Sequence, residues 1–193
     1  ARFMNICMMA TPLGGAASET LPDGRVVSGV GGQYNFVSMA ADLPEARSVL
    51  MLHAARGDKQ ESNVRWNLSN LTIPRHLRDI YVTEYGIADL RGQPDEQVYL
   101  RLIRIADARF QEALLRQAQA AGKVSRAFRL PESWRRNTPE AVRAALAAGG
   151  AEDLFPAFPF GRDFTDDELV LGKALKGLQA STATWDLRPT QTS

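Results

Sequence analysis

Short, nearly continuous apolar runs in the first half of the chain constrain its fold most. They lie at residues 2–10 (RFMNICMMA), 47–55 (RSVLMLHAA) and 80–84 (IYVTE), and residues 25–30 (RVVSGV) add a β-branched run. Apolar runs of this length, bounded by turn residues, are typical of buried strands. Because domains usually open with a polar, frayed segment, a buried strand starting near residue 1 also predicts that the chain was cut from a longer one.

A helical pattern replaces the strand pattern after Pro94. The first helix is predicted to begin with two acids and to bury one face, formed by Val98, Leu102, Ile105 and Ala106. Three more helices are predicted at residues 108–123, 138–149 and 165–180, where Thr, Pro and Gly mark the ends. Strands followed by helices indicate an α/β layer with C-terminal helices. We expect one domain over residues 1–180 and a flexible tail over residues 181–193.

Composition excludes several classes of protein. The formal net charge of +1 argues against a dedicated nucleic-acid or membrane-surface protein. The single cysteine excludes an internal disulfide framework and favours a reducing compartment. No apolar run approaches the roughly 18 residues that a membrane span needs, and no signal peptide is recognisable. We therefore expect a cytoplasmic protein that has neither nucleic acid nor membrane as a partner.

Three glycines in four residues (Gly29-Val30-Gly31-Gly32) lie between the predicted strand at residues 25–30 and a predicted helix. A dinucleotide-binding loop would need a third glycine where Tyr34 stands, so that pattern fails. What remains is a glycine turn at a helix start, whose backbone N–H groups can bind an anion or an oxyanion. From these residues alone, a tight structural turn is the favoured interpretation.

Few other side chains suggest chemistry. Glu84 ends a predicted strand, at the edge where open α/β sheets bind ligands, but it could equally cap a turn or pair with Arg91. Two histidines, His53 and His76, lie apart in the sequence and have no cysteine beside them, so a metal site is not expected. Cys7 lies within an apolar strand, which predicts a buried, unreactive thiol.

Three segments together resemble the C-terminal domain of the acetyl-CoA hydrolase/transferase family, which includes 4-hydroxybutyrate and succinyl-CoA:acetate CoA-transferases. They are DGRVVSGVGGQYNFV (23–37), SNVRWNLSNLTIPRHLRDIYVTEYGIADLRG (62–92) and LFPAFPFGRDFT (154–165). The resemblance extends over residues 2–178. It implies the Rossmann-like layer of CoA-transferases and their sugar-phosphate isomerase relatives.

The resemblance also implies a mechanism through a glutamyl-CoA thioester, with CoA as substrate and product and no metal or nucleotide cofactor. Oxyanion stabilisation would fall to the glycine pair, Gly31 and Gly32, and Glu84 would help to position the substrate or the nucleophile. The residues expected to contact substrate are Gly29, Gln33, Asn35, Tyr85 and Gly86. The expected partners are an acyl-CoA, a small carboxylate and a second copy of the chain in a homodimer.

Two departures from the family pattern limit what the resemblance implies. Asn35 stands where many relatives have Asp, which leaves the substrate open. The nucleophilic glutamate of the family would precede Arg2, in a missing N-terminal half of the polypeptide.

Two other hypotheses stay open. One is a stand-alone domain that binds CoA or another anion without reaction. The other is a sugar-phosphate isomerase-like enzyme, although no suitable lysine or acid pair is visible near the glycine turn.

Overall fold

The computed structural model describes residues 1–56, 61–150 and 161–182. The strands are β1 (Arg2–Ile6), β2 (Met9–Ala10), β3 (Ala16–Ala17), β4 (Arg47–Met51), β5 (Ala55–Arg56), β6 (Glu61–Ser62), β7 (Ile80–Thr83) and β8 (Gly86–Asp89). The helices are α1 (Gln33–Asp42), α2 (Asp95–Arg104), α3 (Ala108–Ala120), α4 (Pro139–Ala148) and α5 (Asp166–Thr182). The chain divides into two compact units, Ala1–Ala145 and Leu146–Ser193.

A four-stranded sheet in the order β1-β4-β7-β8 forms the centre of the first unit. The first three strands are parallel, with Ile6 beside Met51 and Met51 beside Val82. β8 returns antiparallel to β7 through a two-residue turn, Glu84-Tyr85. The mixed α/β class with helices after the sheet is therefore confirmed.

One face of this sheet carries the main core. Leu50, Tyr81 and Ala88 lie side by side on that face, and Val37 of α1 and Leu102 of α2 belong to the same buried cluster. A second cluster joins α2 to α3 and the segment after it, through Tyr99, Ile103, Leu114, Leu115 and Val124. The helical face predicted after Pro94 is buried as expected, because its apolar residues recur at helical spacing.

The strand predicted at residues 25–30 is wrong. Val26 makes a single bridge to Thr20, and the side chains of Val26 and Val27 are 70% and 51% exposed. β-branched residues favour strands only where a neighbouring strand and a packed face are available, and neither is present here. The apolar run at residues 2–10 also splits, because Cys7 makes the last backbone hydrogen bond to β4 and Met8 already bonds to β3.

The predicted helix ends are mostly confirmed. Gly122 and Gly150 follow α3 and α4 with φ values of +67° and +64°, the left-handed conformation that commonly ends a helix. In α1, Val37 and Ala40 are buried, while Phe36, Met39 and Leu43 are exposed. The LFPAFPF segment (154–160) and the tail after residue 182 lie outside the described residues. No described helix is long and apolar enough to cross a membrane.

Candidate active site at the carboxyl edge of the sheet

Three parallel strands end at one edge of the sheet, where their connections bring together the residues singled out in the sequence. β4 lies in the middle, with β1 on one side and β7 on the other. The glycine turn sits beyond β1 and Glu84 directly follows β7. Neighbouring strands lie about 4.8 Å apart, so the ends of β1 and β7 are separated by roughly 10 Å. That distance suits the two ends of one small-molecule site.

The glycine turn leaves its backbone open. Gly31 has φ +61°, and a Cβ added at Gly29 or Gly31 would meet no atom within 4 Å. Gly32 is the residue immediately before α1, and its Cβ would lie 3.2 Å from the Phe36 ring. Within the described residues, no hydrogen bond engages the N–H groups of Gly29, Gly31 or Gly32. The turn therefore presents unblocked donors at the positive end of a helix.

Gln33 fixes the start of α1 to the sheet. Its side-chain Nε2 donates to the carbonyl of Ile6 at 3.1 Å, and the residue is only 8% exposed. Phe36 of the same helix stacks on Phe3 of β1, with ring centroids 6.1 Å apart. Two contacts to one strand set both the position and the direction of the helix start. Gln33 thus holds the turn at the edge of the sheet, while its Oε1 is buried without a hydrogen-bond partner.

A buried carboxylate holds the loop that leads into the glycine turn. Glu19 accepts hydrogen bonds from Asn70 Nδ2 at 2.8 Å and from the hydroxyl of Thr72. Its own carbonyl accepts the N–H of Val27 at 2.8 Å. Because its partners lie about fifty residues away in the sequence, no local pattern identified Glu19. Glu19 thus connects the loop before the glycine turn to Asn70 and Thr72.

Glu84 occupies the first position of the tight turn between β7 and β8, and its side chain is exposed. Its Oε2 accepts the backbone N–H of Ala54 at 2.9 Å, just beyond the end of β4. Asn63 holds the same segment, because its Nδ2 donates to the carbonyl of His53 at 2.9 Å. One carboxylate oxygen is thus anchored to the connection that follows the central strand, and within the described residues the other accepts no hydrogen bond.

The turn beside Glu84 is braced by a buried network. The hydroxyl of Thr83 donates to the carbonyl of Ile105 at 2.7 Å and accepts the N–H of Tyr85 at 3.1 Å. The Tyr85 hydroxyl donates to Asp107 at 3.0 Å, and Arg109 forms an ion pair with Asp107 at 2.8 Å. Burial, followed by the bond to Asp107, raises the pKa of Tyr85 well above its usual range. Burial opposes ionisation of Asp107, but the hydrogen bonds from Arg109 outweigh it and lower the pKa.

The structure places the predicted site residues on two elements at the same edge of the sheet. Gly29, Gly31, Gly32, Gln33 and Asn35 surround the start of α1, and Glu84, Tyr85 and Gly86 form the β7–β8 turn. The exposed His53, weighed in the sequence only as a metal ligand, follows the strand lying between these two elements. Its signal was its place directly after an apolar run, since side chains at strand ends face the ligand edge.

Metal-ligand clusters and cavities are further features by which this edge compares with the rest of the described residues. No group of three or more His, Cys, Asp or Glu residues in the described part of the chain is arranged to hold a metal ion. A cavity of about 580 Å³ lies instead at the opposite edge, beside Ser48, Asp79 and Arg91. Gly29, Gly31, Gly32 and Glu84 are exposed among the described residues.

Comparison with known proteins gives a family. The sequence model of the acetyl-CoA hydrolase/transferase C-terminal domain matches residues 1–118, which contain the glycine turn and Glu84. The 4-hydroxybutyrate coenzyme A transferase of Clostridium kluyveri is 29% identical over 117 residues, 59% of this chain and 27% of that protein. A probable butyrate:acetyl-CoA coenzyme A-transferase of Syntrophomonas wolfei is 32% identical over 121 residues, 60% of this chain and 27% of that protein. The chain thus spans about a quarter of the length of these relatives.

Solved structures show the same fold. The crystal structure of RipA from Yersinia pestis matches with a TM-score of 0.58 and 25% identity, over 63% of this chain and 28% of that one. The 4-hydroxybutyrate CoA-transferase of Porphyromonas gingivalis matches with a TM-score of 0.50 and 25% identity, over 62% of this chain and 26% of that one.

Proposed function

The chain belongs to the acetyl-CoA hydrolase/transferase family through its C-terminal domain, and on that premise we propose that it is the C-terminal part of a CoA-transferase or acyl-CoA hydrolase. The observation that carries the proposal is the pairing of a bare glycine turn with an anchored carboxylate at one sheet edge. The full-length protein would hold the nucleophilic glutamate in polypeptide preceding residue 1. An acyl-CoA and a small carboxylate would be its substrates.

The proposed reaction needs hydrogen-bond donors at the positions where negative charge develops. The nucleophilic glutamate attacks the thioester carbonyl, and the C–S bond breaks to give an acyl-glutamyl anhydride and CoA thiolate. The thiolate then attacks the glutamyl carbonyl, which releases the carboxylate and leaves a glutamyl-CoA thioester. An acceptor carboxylate, or water in a hydrolase, resolves that thioester. Each tetrahedral intermediate carries an oxyanion, which the N–H groups of the turn at Gly31 and Gly32 would stabilise.

Glu84 has a different role in this proposal. Its bond to the Ala54 N–H fixes the carboxylate at the end of the central strand's connection, roughly 10 Å from the strand that supports the turn. It would position the acyl group or the attacking glutamate across the space between the two elements. It would form no covalent intermediate itself.

A pair of matched variants in the full-length protein tests the role of Glu84. Glu96 is also an exposed glutamate that accepts one backbone N–H, from Ser125 at 3.0 Å, but it lies on α2. We expect Glu84→Gln to lower kcat for CoA transfer about a hundredfold, as loss of a placed charged group does. Glu96→Gln should change kcat by less than about threefold. If the two substitutions lower kcat equally, Glu84 only stabilises the turn and has no role in the reaction.

The covalent intermediate is tested separately. The full-length protein, incubated with acyl-CoA and reduced with borohydride, should show by peptide mass spectrometry a reduced glutamyl residue in the part preceding residue 1. The 193-residue chain alone should bind CoA weakly and release none from acetyl-CoA. Turnover by the 193-residue chain would contradict the proposal. Anion binding without any turnover in the full-length protein would favour a stand-alone binding domain.

A further inference from the structure

The sheet of the first unit has a second face, opposite the core, that carries apolar residues on all four strands. Arg2, Arg47 and Asp89 lie on the same face, toward the amino ends of the parallel strands. The register places the side chains of β1, β4, β7 and β8 on this face in rows. We call it the open face, and its apolar residues are Met4, Ile6, Val49, Met51, Ile80, Val82 and Ile87. Met4, Ile6 and Ile87 are 67%, 74% and 68% exposed. Seven apolar side chains in adjacent rows form a continuous patch rather than scattered surface residues.

Parallel strands make such a patch unusual. Parallel sheets occur almost only where both faces are covered by other elements, and β1, β4 and β7 are parallel. Contiguous exposed apolar patches of this kind mark interaction surfaces. The open face therefore resembles a sheet face that is normally covered by another element.

The described part of the first unit does not supply that cover. Val37 of α1 belongs to the core on the other face, and so do Val98 and Leu102 of α2. The connection from β4 to β7 also packs there, through Ile73. The described residues of these connections that join the core thus lie on the opposite side of the sheet from the open face.

We propose that the open face is the docking surface for apolar helices from the polypeptide that precedes residue 1 in the full-length protein. This inference rests on the proposed function, in which such polypeptide exists. The relatives favour this occupant over a second copy, because nearly three-quarters of their length lies outside the region they share with this chain. Helices suit the surface, since they are the elements that cover parallel sheets. The partner segment is expected to carry apolar residues at helical spacing.

Thiol labelling tests the proposal directly. The native Cys7 is 2% exposed, and burial raises its pKa to about 12, so it gives little background. Ile6→Cys and Ile87→Cys place reporters on the open face, and Glu132→Cys is the control, because its side chain is 86% exposed on polar surface. In the full-length protein we expect the two reporters to react with Ellman's reagent about a hundredfold more slowly than the control. In the 193-residue chain all three should react at similar rates.

Each other result would overturn the proposal. Fast labelling of the reporters in the full-length protein would show that nothing covers the face. Protection in the 193-residue chain that grows with protein concentration would identify a second copy as the occupant. Protection there at every concentration would identify a cover from within the chain.

The readout also separates this inference from the proposed function. Labelling does not require turnover. Protection of both reporters in a full-length protein that transfers no CoA would therefore support the docking surface and contradict the proposed enzyme. Met4 gives the same measurement without substitution. Its oxidation by hydrogen peroxide, followed by peptide mass spectrometry, should be fast in the 193-residue chain and slow in the full-length protein.

Discussion

Two glycines of the same turn should respond to alanine in opposite directions. Gly31 has φ +61°, a conformation that costs an L-residue about 1–2 kcal/mol. Gly29 has no left-handed φ, and its added Cβ would meet no atom within 4 Å. Alanine there should stabilise the fold by about 0.4–1 kcal/mol, because it restricts the unfolded chain. The free energies of unfolding of the two variants should thus differ by about 1.5–3 kcal/mol.

Thermal unfolding followed by circular dichroism measures this difference. For a chain of this size, 1 kcal/mol shifts Tm by about 2–4 °C. We expect Gly31→Ala to unfold about 2–8 °C below the parent and Gly29→Ala about 1–4 °C above it. Gly31→Asn should recover part of the loss, since Asn tolerates the left-handed region. A Gly29→Ala variant as unstable as Gly31→Ala would refute the reasoning from the local geometry.

The Gly29→Ala and Gly31→Ala variants also distinguish a turn that serves only the fold from one that contacts substrate. The backbone conformation at Gly29 does not require glycine. In the proposed function, the close approach of a ligand explains why glycine stands there. In the full-length protein, Gly29→Ala should then lower kcat/KM while leaving Tm unchanged or raised. Unchanged kinetics in that variant would remove Gly29 from the set of substrate contacts.

Three further predictions concern the surrounding structure. Asp79→Asn should lower the free energy of unfolding by about 2–4 kcal/mol in urea, because the buried carboxylate pairs with Arg47 at 2.8 Å and Arg91 at 2.7 Å, both partly exposed. Cys7 should resist Ellman's reagent in the native 193-residue chain and react once urea unfolds it; fast native labelling would contradict its burial. Asp107 has a folded pKa below its ordinary 3.8, so its stabilising effect is present above pH 3.8 and is lost as pH falls through the folded value. The stability difference between the parent and Asp107→Asn should therefore shrink on acidification below pH 3.8, as chemical unfolding at a series of pH values would show.

Local patterns predicted the elements that depend on local physics. The helices α2 and α3 follow from an apolar stripe and from the cap residues Pro94 and Gly122. The strand β8 was missed because its turn, Glu84-Tyr85, lacks the Asn-Gly or Asp-Gly signal of a tight hairpin. Instead, Thr83 stabilises that turn through bonds to Tyr85 and to a carbonyl twenty-two residues away.

The candidate site depends on strand order, which no local pattern contains. Gly31 and Glu84 are fifty-three residues apart, and they share an edge only because β4 inserts between β1 and β7. The same insertion places His53, which directly follows the apolar run of β4, between them. Gln33 shows the converse, because the family resemblance implied a substrate contact while its side chain donates to the carbonyl of Ile6. The residues named from the sequence thus lie along one edge of the sheet, and their roles in a site stay predictions.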